Sequence, residues 1–205
     1  MTQLPLGTAA MLACLYEATA RKPGNVYPGA DFDETTTYAA FVKSAIAIGP
    51  IVETAPAVGV GQAGLESVRA TREAVRTNTN LGTLLLVGPL AAVPRDVDLE
   101  SGIGSVLAAL TPDDTAAVYE GIRLASAGGH GETAEADINS DPPPDLSLID
   151  AMQMAADRDL VARQYTNNFR DVFGVARFIE FGLTPHATLE DAIVLAYLKQ
   201  LTAAP

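Results

Sequence analysis

The chain has no tryptophan, a single cysteine, few aromatic residues and far fewer basic than acidic side chains. Without a second cysteine, Cys14 can form neither an internal disulfide nor a thiolate zinc cage. Its apolar neighbours Met11, Leu12 and Leu15 predict a buried structural thiol. The 13 lysines and arginines against 25 aspartates and glutamates give a net charge of −12, which argues against nucleic acid or an anionic membrane as a partner. An anionic ligand must therefore be held by local cations, helix N-termini or a metal ion.

Long hydrophobic runs are missing too. The longest extends from Leu84 to Val93 and contains a glycine and a proline, so it is shorter than the roughly 18 residues of a membrane span. The first residues lack the cationic flank and apolar stretch of a signal peptide. We therefore expect a soluble, cytoplasmic protein.

Alanine and leucine are abundant, and apolar residues recur at helical spacing almost throughout. A length of 205 residues is typical of one domain, which we assign to residues 1–205. We predict an all-α bundle of about nine helices without a significant sheet. Gly49-Pro50 is expected to interrupt the second helix, and residues 159–173 are expected to form one helix.

The connection between the first two helices is the first candidate site. Residues 21–34 contain two prolines and two glycines, which break any helix, together with Lys22, Asn25 and the carboxylates Asp31, Asp33 and Glu34. Mg2+ is held by one or two carboxylates plus phosphates and water, so Asp31 and Asp33 are candidate ligands beside a phosphate-binding Lys22. The alternative is an ordinary turn whose acids favour the positive end of the next helix.

A second candidate is the turn Asn78-Thr79-Asn80-Leu81-Gly82, which predicts a helix start. Free amides at such a start bind anions, and a stripe of arginines on the preceding helix leads into the turn. The alternative is that Glu66 and Glu73 neutralise that stripe and that the asparagines only cap the helix.

Two further segments carry polar or flexible residues. Gly128-Gly129-His130-Gly131 permits close approach of a ligand to the backbone, with His130 as a candidate proton donor, or it is only a helix terminus. Asp157 and Asp159 flank a helix junction and are candidates to complete a metal site. The alternative there is an exposed ion-pair ladder in which Asp159 pairs with Arg163, four residues later.

Taken together, these segments resemble the triphosphoribosyl-dephospho-CoA synthase family. The resemblance lies in Ala20-Arg21-Lys22-Pro23-Gly24-Asn25-Val26, in Asn78-Thr79-Asn80-Leu81-Gly82, in the glycines at 128–131 and in Ala156-Asp157-Arg158-Asp159-Leu160 with Arg163-Gln164-Tyr165. It spans nearly the whole chain.

The resemblance implies an all-helical enzyme that transfers the triphosphoribosyl group of ATP to the 2′-hydroxyl of 3′-dephospho-CoA, or of a related cofactor precursor, and releases adenine. It implies Mg2+ as the ion and ATP as co-substrate. Carboxylates stabilise the oxocarbenium character of glycosyl transfer and can accept the proton of the attacking hydroxyl.

On this basis we assign roles to the candidate residues. The catalytic set is Asp31, Asp33 and Asp159, and the metal ligands are Asp31, Asp33 and Asp157. The residues assigned to binding of the nucleotide or substrate are Lys22, Asn25, Asn78, Asn80, Gly128, Gly129 and Arg163.

The chain departs from the family in two respects. Decarboxylase-associated members carry Asn-Thr-His-Lys-Gly, so Leu81 stands where they have a cation. Members also continue with a basic helical segment after the equivalent of Pro205, so we expect a C-terminally shortened member. Two other functions stay open: phosphoryl or nucleotidyl transfer, or nucleotide hydrolysis, in another cofactor pathway, and a non-catalytic nucleotide-binding module. The oligomeric state is open as well, with a homodimer as one option.

Overall fold

The computed structural model describes residues 3–125 and 146–203, and these residues form an all-α structure. Eleven helices follow one another in the described ranges: α1 Leu6–Thr19, α2 Tyr38–Val52, α3 Ala55–Val58, α4 Val60–Val75, α5 Leu81–Ala91, α6 Leu99–Ala108, α7 Pro112–Ala125, α8 Leu148–Ala155, α9 Leu160–Thr166, α10 Arg170–Gly182 and α11 Leu189–Ala203. The only β-type pairing there is an isolated bridge between Tyr27 and Ala30. The all-α prediction is confirmed, with two more helices than predicted.

Two predicted boundaries are wrong. Pro50 lies inside α2 and does not interrupt it. Residues 159–173 form two helices, because Asn168 and Phe169 adopt left-handed backbone angles, with φ of 55° and 59°. Phe169 is completely buried, so its packing offsets the strain of a left-handed aromatic residue.

Helix ends follow the expected capping chemistry at several places. Thr37, Asp98, Ser147 and Asp159 each precede a helix and accept a hydrogen bond from a backbone N–H of its first turn. Such caps satisfy donors that the helix itself leaves unpaired. At the start of α7, the Thr111 hydroxyl accepts a hydrogen bond from the Asp114 N–H, and Pro112 is the first helical residue.

The core has two connected parts. The first lies among α1, α2, α4 and α5 and includes Cys14 and Ile48, so the prediction of a buried Cys14 is confirmed. The second lies among α5 to α9 and includes Ile103 and Phe169. Full burial of one such large apolar side chain contributes about 1.5–3 kcal/mol.

Close helix contacts depend on glycines. A Cβ atom on Gly7 would lie 2.1 Å from the carbonyl oxygen of Gly49, and one on Gly61 would lie 2.5 Å from Cα of Asp114. These positions bring α1 against α2 and α4 against α7. Asp114 adds to the second contact, since its Oδ1 accepts a hydrogen bond from the Gly61 N–H at 2.7 Å.

None of the helices in the described parts of the chain is long and apolar enough to cross a lipid bilayer.

Candidate functional site

Lys22 is buried, although it lies in the irregular connection between α1 and α2. Only 4% of its side chain is exposed, and its Nζ donates to Oε1 of Glu17 at 2.5 Å and to the Glu17 carbonyl oxygen. Asn25 donates from Nδ2 to the same Glu17 oxygen at 3.0 Å. An ammonium has three N–H donors, so two serve this pairing and one is left.

Asp31 and Asp33 are exposed and organise the start of α2. Asp31 Oδ1 accepts a hydrogen bond from the Tyr38 N–H at 2.8 Å. Asp33 accepts hydrogen bonds from the N–H and hydroxyl groups of both Thr35 and Thr36. The Thr36 N–H, followed by the Thr35 hydroxyl, lowers the pKa of Asp33 to about 2. Asp33 is therefore a stable carboxylate and a weak base near neutral pH.

The turn before α5 is held by its own side chains. Asn78 Oδ1 accepts from the Leu81 N–H at 3.1 Å, and Thr79 Oγ1 donates to Ser44 Oγ of α2 at 2.6 Å. Asn80 is buried, and its Oδ1 accepts from Thr71 Oγ1 of α4 at 3.3 Å. Its Nδ2 has no hydrogen-bond partner among the residues that the structure describes. Because a buried unpaired N–H costs free energy, this amide is poised to bind a ligand or a water molecule.

The arginine stripe before this turn is largely engaged within the protein. Arg69 pairs with Glu66 at 2.7 Å and with Glu120 at 2.5 Å, and Arg72 donates to the Leu124 carbonyl oxygen. Structural pairing is therefore the better interpretation for these two side chains, although Glu120 rather than Glu73 is the second partner.

The two acids at the junction before α9 have different surroundings. Asp159 caps α9, with Oδ1 accepting from the N–H groups of Val161 at 2.7 Å and Ala162 at 3.0 Å. Asp157 is exposed. Arg163 pairs with Asp171 at 3.1 Å, so the predicted pair with Asp159 does not form.

A pocket of about 450 Å³ opens where α1, α5, α9, α10 and α11 meet. Its apolar lining comprises Ala13, Leu86, Leu160, Val161, Val172, Val175, Ile179, Ile193 and Ala196. Its charged or amide-bearing lining comprises Glu17, Lys22, Gln164, Asp171 and Gln200, and two tyrosines, Tyr16 and Tyr197, complete it. A mostly apolar cleft with few polar groups is typical of a small-molecule site.

One carboxylate in this pocket is held by three donors. Asp171 Oδ2 accepts from Arg163 Nε at 3.1 Å, Gln164 Nε2 at 3.1 Å and Asn167 Nδ2 at 2.9 Å. Partial burial raises the pKa of Asp171, but the hydrogen bonds from Gln164 and Asn167 and the charge of Arg163 outweigh that effect. The net pKa lies below its ordinary value, and the side chain is ionised at neutral pH.

Within the described residues, three of the segments singled out above lie at one end of the bundle: the connection after α1, the turn before α5 and the junction before α9. Tyr38 at the start of α2 lies within hydrogen-bond distance of Thr19 at the end of α1, 3.2 Å between their hydroxyl oxygens. At the start of α5, a Cβ atom on Gly82 would lie 3.7 Å from Val161 of α9. Farther along, Tyr165 donates to the Leu85 carbonyl oxygen at 2.6 Å, which fixes α9 against α5. Burial raises the pKa of Tyr165, so its hydroxyl stays a donor.

The carboxylates assigned to a metal do not form a preassembled cage. Within residues 3–125 and 146–203, no three His, Cys, Asp or Glu side chains are grouped closely enough to hold a metal ion. Gly128, Gly129 and His130 lie outside the described residues, so their assignment stays a prediction.

Glu17, Gln164 and Asp171 line the pocket, but sequence reasoning did not assign them to the site. Glu17 carries no local signal, because it is an ordinary acid on the first helix. Asp171 is the second residue of α10, in the first turn, where an acid is common for electrostatic reasons alone.

The comparisons with known proteins give one family. The family model CitG, described as ATP:dephospho-CoA triphosphoribosyl transferase, matches residues 4–205. No curated protein and no solved structure shows a significant match to the chain.

Proposed function

The chain belongs to the ATP:dephospho-CoA triphosphoribosyl transferase family, and from that premise we propose that the pocket between α1, α5, α9, α10 and α11 binds the ATP of the reaction. The enzyme moves the triphosphoribosyl group of ATP to dephospho-CoA. In this transfer the bond between ribose C1′ and adenine breaks, its electron pair leaves with adenine, and C1′ forms a bond to the acceptor hydroxyl oxygen.

The observation that carries the proposal is the meeting of distant segments at this pocket. Lys22 comes from the first connection, Leu86 from α5, and Val161 and Gln164 from α9. They include residues of the segments on which the family resemblance rests. A shared ligand is the simplest reason for residues so far apart in the chain to line one pocket.

The pocket lining suits the adenine base. Adenine is flat and uncharged, and apolar side chains such as Leu86, Val161 and Val172 can cover its faces. The amides of Gln164 and Gln200 offer donors and acceptors for its edge. We infer that the base lies in the apolar part and the triphosphate points toward Lys22.

The triphosphate needs positive charge that this acidic chain supplies sparingly. Lys22 can give its third N–H to a phosphate oxygen, and we propose Asn78 and Asn80 at the start of α5 as further donors. Leu81 adds no charge where other members have a lysine. The nearby cationic side chains are therefore too few to neutralise the triphosphate, which supports a role for a divalent ion.

Mg2+ fits this end of the bundle without a three-carboxylate cage, because one or two carboxylates with phosphates and water are enough. We propose that Asp31 and Asp33 hold it. Asp157, assigned to the metal from the sequence, does not form a closely grouped set of three with them. Asp31 Oδ2 makes no hydrogen bond to any described residue, and Asp33 stays ionised. The ion would neutralise phosphate charge.

Proton removal from the attacking hydroxyl needs a base. With its lowered pKa, Asp33 is a weak one, so we propose that Asp31 or Asp159 accepts the proton. Asp33 then contributes negative charge rather than base strength. Asn25 and Arg163 act through their partners Glu17 and Asp171, and Gly128 and Gly129 stay proposed backbone contacts.

Two broader expectations stay proposals. A cytoplasmic location agrees with substrates that are intracellular cofactors, and a homodimer is to be tested by light scattering coupled to size-exclusion chromatography.

The proposal is tested by incubating the protein with Mg-ATP and 3′-dephospho-CoA and separating adenine by chromatography. We expect adenine to form in an acceptor-dependent manner, and to form much more slowly when Ala13→Trp fills the pocket. Phosphate or diphosphate release without adenine would favour nucleotide hydrolysis or nucleotidyl transfer, and Mg-ATP binding without any product would favour a binding module.

A further inference from the structure

Unlike the four aspartates assigned from the sequence, Asp171 lies in the wall of the apolar pocket. It comes from the first turn of α10, and its side chain is 27% exposed. Asp31, Asp33, Asp157 and Asp159 are all exposed, and none of them lines the pocket. Asp171 was not among the residues assigned from the sequence.

The two oxygens of Asp171 have different surroundings. Oδ2 takes all three hydrogen bonds, from Arg163, Gln164 and Asn167. Oδ1 accepts no hydrogen bond from any residue of the described chain. The carboxylate is therefore fixed through one oxygen, and its other oxygen is available to a ligand.

The three donors do more than hold the side chain. Gln164 is itself buried and fixed, because its Nε2 also donates to the Leu160 carbonyl oxygen at 2.9 Å and its Oε1 accepts from the Val172 N–H at 3.3 Å. The carboxylate therefore has a set position and a stable negative charge before any substrate binds. Such preorganisation makes an electrostatic group effective at a developing charge.

We propose that Asp171 is a catalytic residue that stabilises the positive charge developing at ribose C1′ and the ring oxygen during triphosphoribosyl transfer. This inference rests on the proposed binding of ATP in the pocket. Asp171 forms no bond and keeps its charge throughout. As adenine departs with the C1′–N electron pair, the oxocarbenium-like ribose carries positive charge until the acceptor oxygen bonds to C1′.

The position within the pocket supports this role. Glu17 and Lys22 belong to the α1 side, where their mutual pairing leaves little net charge, and Asp171 belongs to the α9–α10 side. Arg163 pairs with Oδ2 of Asp171, and Val172, Val175 and Ile179 line the same wall of the pocket. These apolar neighbours screen the charge of Asp171 less than water does.

The experiment compares Asp171→Asn with the wild type. The amide oxygen can still accept from the three donors, while the charge is lost and an NH2 group replaces the second oxygen. We expect the kcat of adenine release to fall by about 100-fold or more, while the Kd for ATP, measured by calorimetry, changes by less than about threefold.

A second readout distinguishes catalysis from structure. A cationic iminoribitol compound mimics the charged ribose, and its neutral carbocyclic analogue does not. The wild type is expected to bind the cationic compound more tightly than the neutral one, and Asp171→Asn is expected to lose that preference. Asn167→Ala, which removes one donor but keeps the carboxylate, is the control and should retain the preference.

Wild-type kcat in folded Asp171→Asn, or an unchanged preference for the cation, would overturn the inference and leave ATP binding in the pocket intact. If Asp171→Asn does not fold, Asp171→Glu serves in its place. This variant keeps the charge and is expected to bind the cationic compound more tightly than the neutral one. Equal affinities for the two compounds in Asp171→Glu would also overturn the inference. Failure of the proposed pocket is recognised separately, because Ala13→Trp would then leave ATP binding unchanged.

Discussion

The ammonium of Lys22 lies 2.5 Å from Oε1 of Glu17, and the two side chains differ greatly in exposure, 4% for Lys22 and 44% for Glu17. Breaking the pair therefore costs more free energy when the buried Lys22 is left behind than when the exposed Glu17 is left behind. Lys22 loses a charged acceptor when Glu17 is removed, whereas Glu17 without Lys22 can be solvated by water.

Glu17→Ala should therefore be more destabilising than Lys22→Met. Glu17→Ala keeps the backbone carbonyl that accepts from Lys22 but removes the charged acceptor. Loss of a partner of a buried charged donor costs about 1–3 kcal/mol, and Glu17→Ala should lower the free energy of unfolding by an amount in this range. Lys22→Met keeps the apolar contacts of the stem and should cost less. Urea denaturation followed by circular dichroism measures both, and a larger loss for Lys22→Met would contradict this account of the pair.

Gly61 and Gly64 on α4 should respond in opposite directions to alanine. A Cβ atom on Gly61 would lie 2.5 Å from Cα of Asp114, whereas one on Gly64 meets nothing within 4 Å. Gly61→Ala must push α4 from α7 and should cost about 1–3 kcal/mol. Gly64→Ala should add about 0.5–1 kcal/mol of stability, because alanine favours a helix interior over glycine. Melting temperatures of the two variants test this prediction. If both variants shift the melting temperature equally, α7 moves to accommodate the new methyl group at position 61 at little cost.

Asp159 has a capping role that must be separated from any catalytic one. Asp159→Ala removes the acceptor of the Val161 and Ala162 N–H groups and should cost about 1 kcal/mol. Asp159→Ser keeps a capping oxygen without the charge, so it should restore most of that stability. If Asp159 accepts the proton of the acceptor hydroxyl, adenine release should stay low in Asp159→Ser. Wild-type release in this variant would leave Asp31 as the base, which Asp31→Asn tests in the same assay.

Cys14 should be inert in the folded protein. Desolvation, with a smaller contribution from Glu17, raises the pKa of this buried thiol to about 11 from an ordinary value of 9.0. The thiolate that reacts with disulfide reagents is therefore scarce at pH 8. Ellman's reagent should detect no fast thiol in the native protein and one thiol in urea. Fast reaction of the native protein would show that α1 opens readily.

Asp33 should make stability depend on acidity. Its folded pKa of about 2 lies below its ordinary value of 3.8, so the unfolded chain binds more protons between these values. Its contribution to stability is therefore present above about pH 4 and is lost as the pH falls toward 2. Asp33→Asn should flatten this part of the curve of unfolding free energy against pH. An unchanged curve would mean that the turn at Thr35 and Thr36 does not persist in solution.

Much of the helical framework could be predicted from local patterns, because capping residues and apolar spacing act over a few positions. Thr111-Pro112 and Asp98 are examples of starts that follow from chemistry near the helix end. Whether Pro50 ends the second helix could not be predicted from its neighbours in the sequence. It remains helical where Gly49 packs against Met11 and Gly7 of α1, and no neighbouring residue signals that contact.

The candidate site was only partly predictable for a related reason. Lys22 could be singled out from the sequence because it lies in a loop segment with proline, glycine and carboxylates. Its burial and its pairing with Glu17 could not, because they depend on how α1 and the following loop pack. Asp171 meets Gln164 because two left-handed residues, Asn168 and Phe169, turn the chain between α9 and α10. Asparagine adopts that conformation readily, whereas Phe169 does so because its ring fills the core, which is a tertiary effect.

The central claim is that ATP binds in the pocket between α1, α5, α9, α10 and α11, and its most direct test is the Kd for ATP of two matched variants. Ala13 and Ala9 are both exposed and lie one turn apart on α1, but only Ala13 lines the pocket. Isothermal titration calorimetry with Mg-ATP should show binding weakened by about tenfold or more in Ala13→Trp and a wild-type Kd in Ala9→Trp. Equal affinities for ATP in wild type and both variants would contradict the claim.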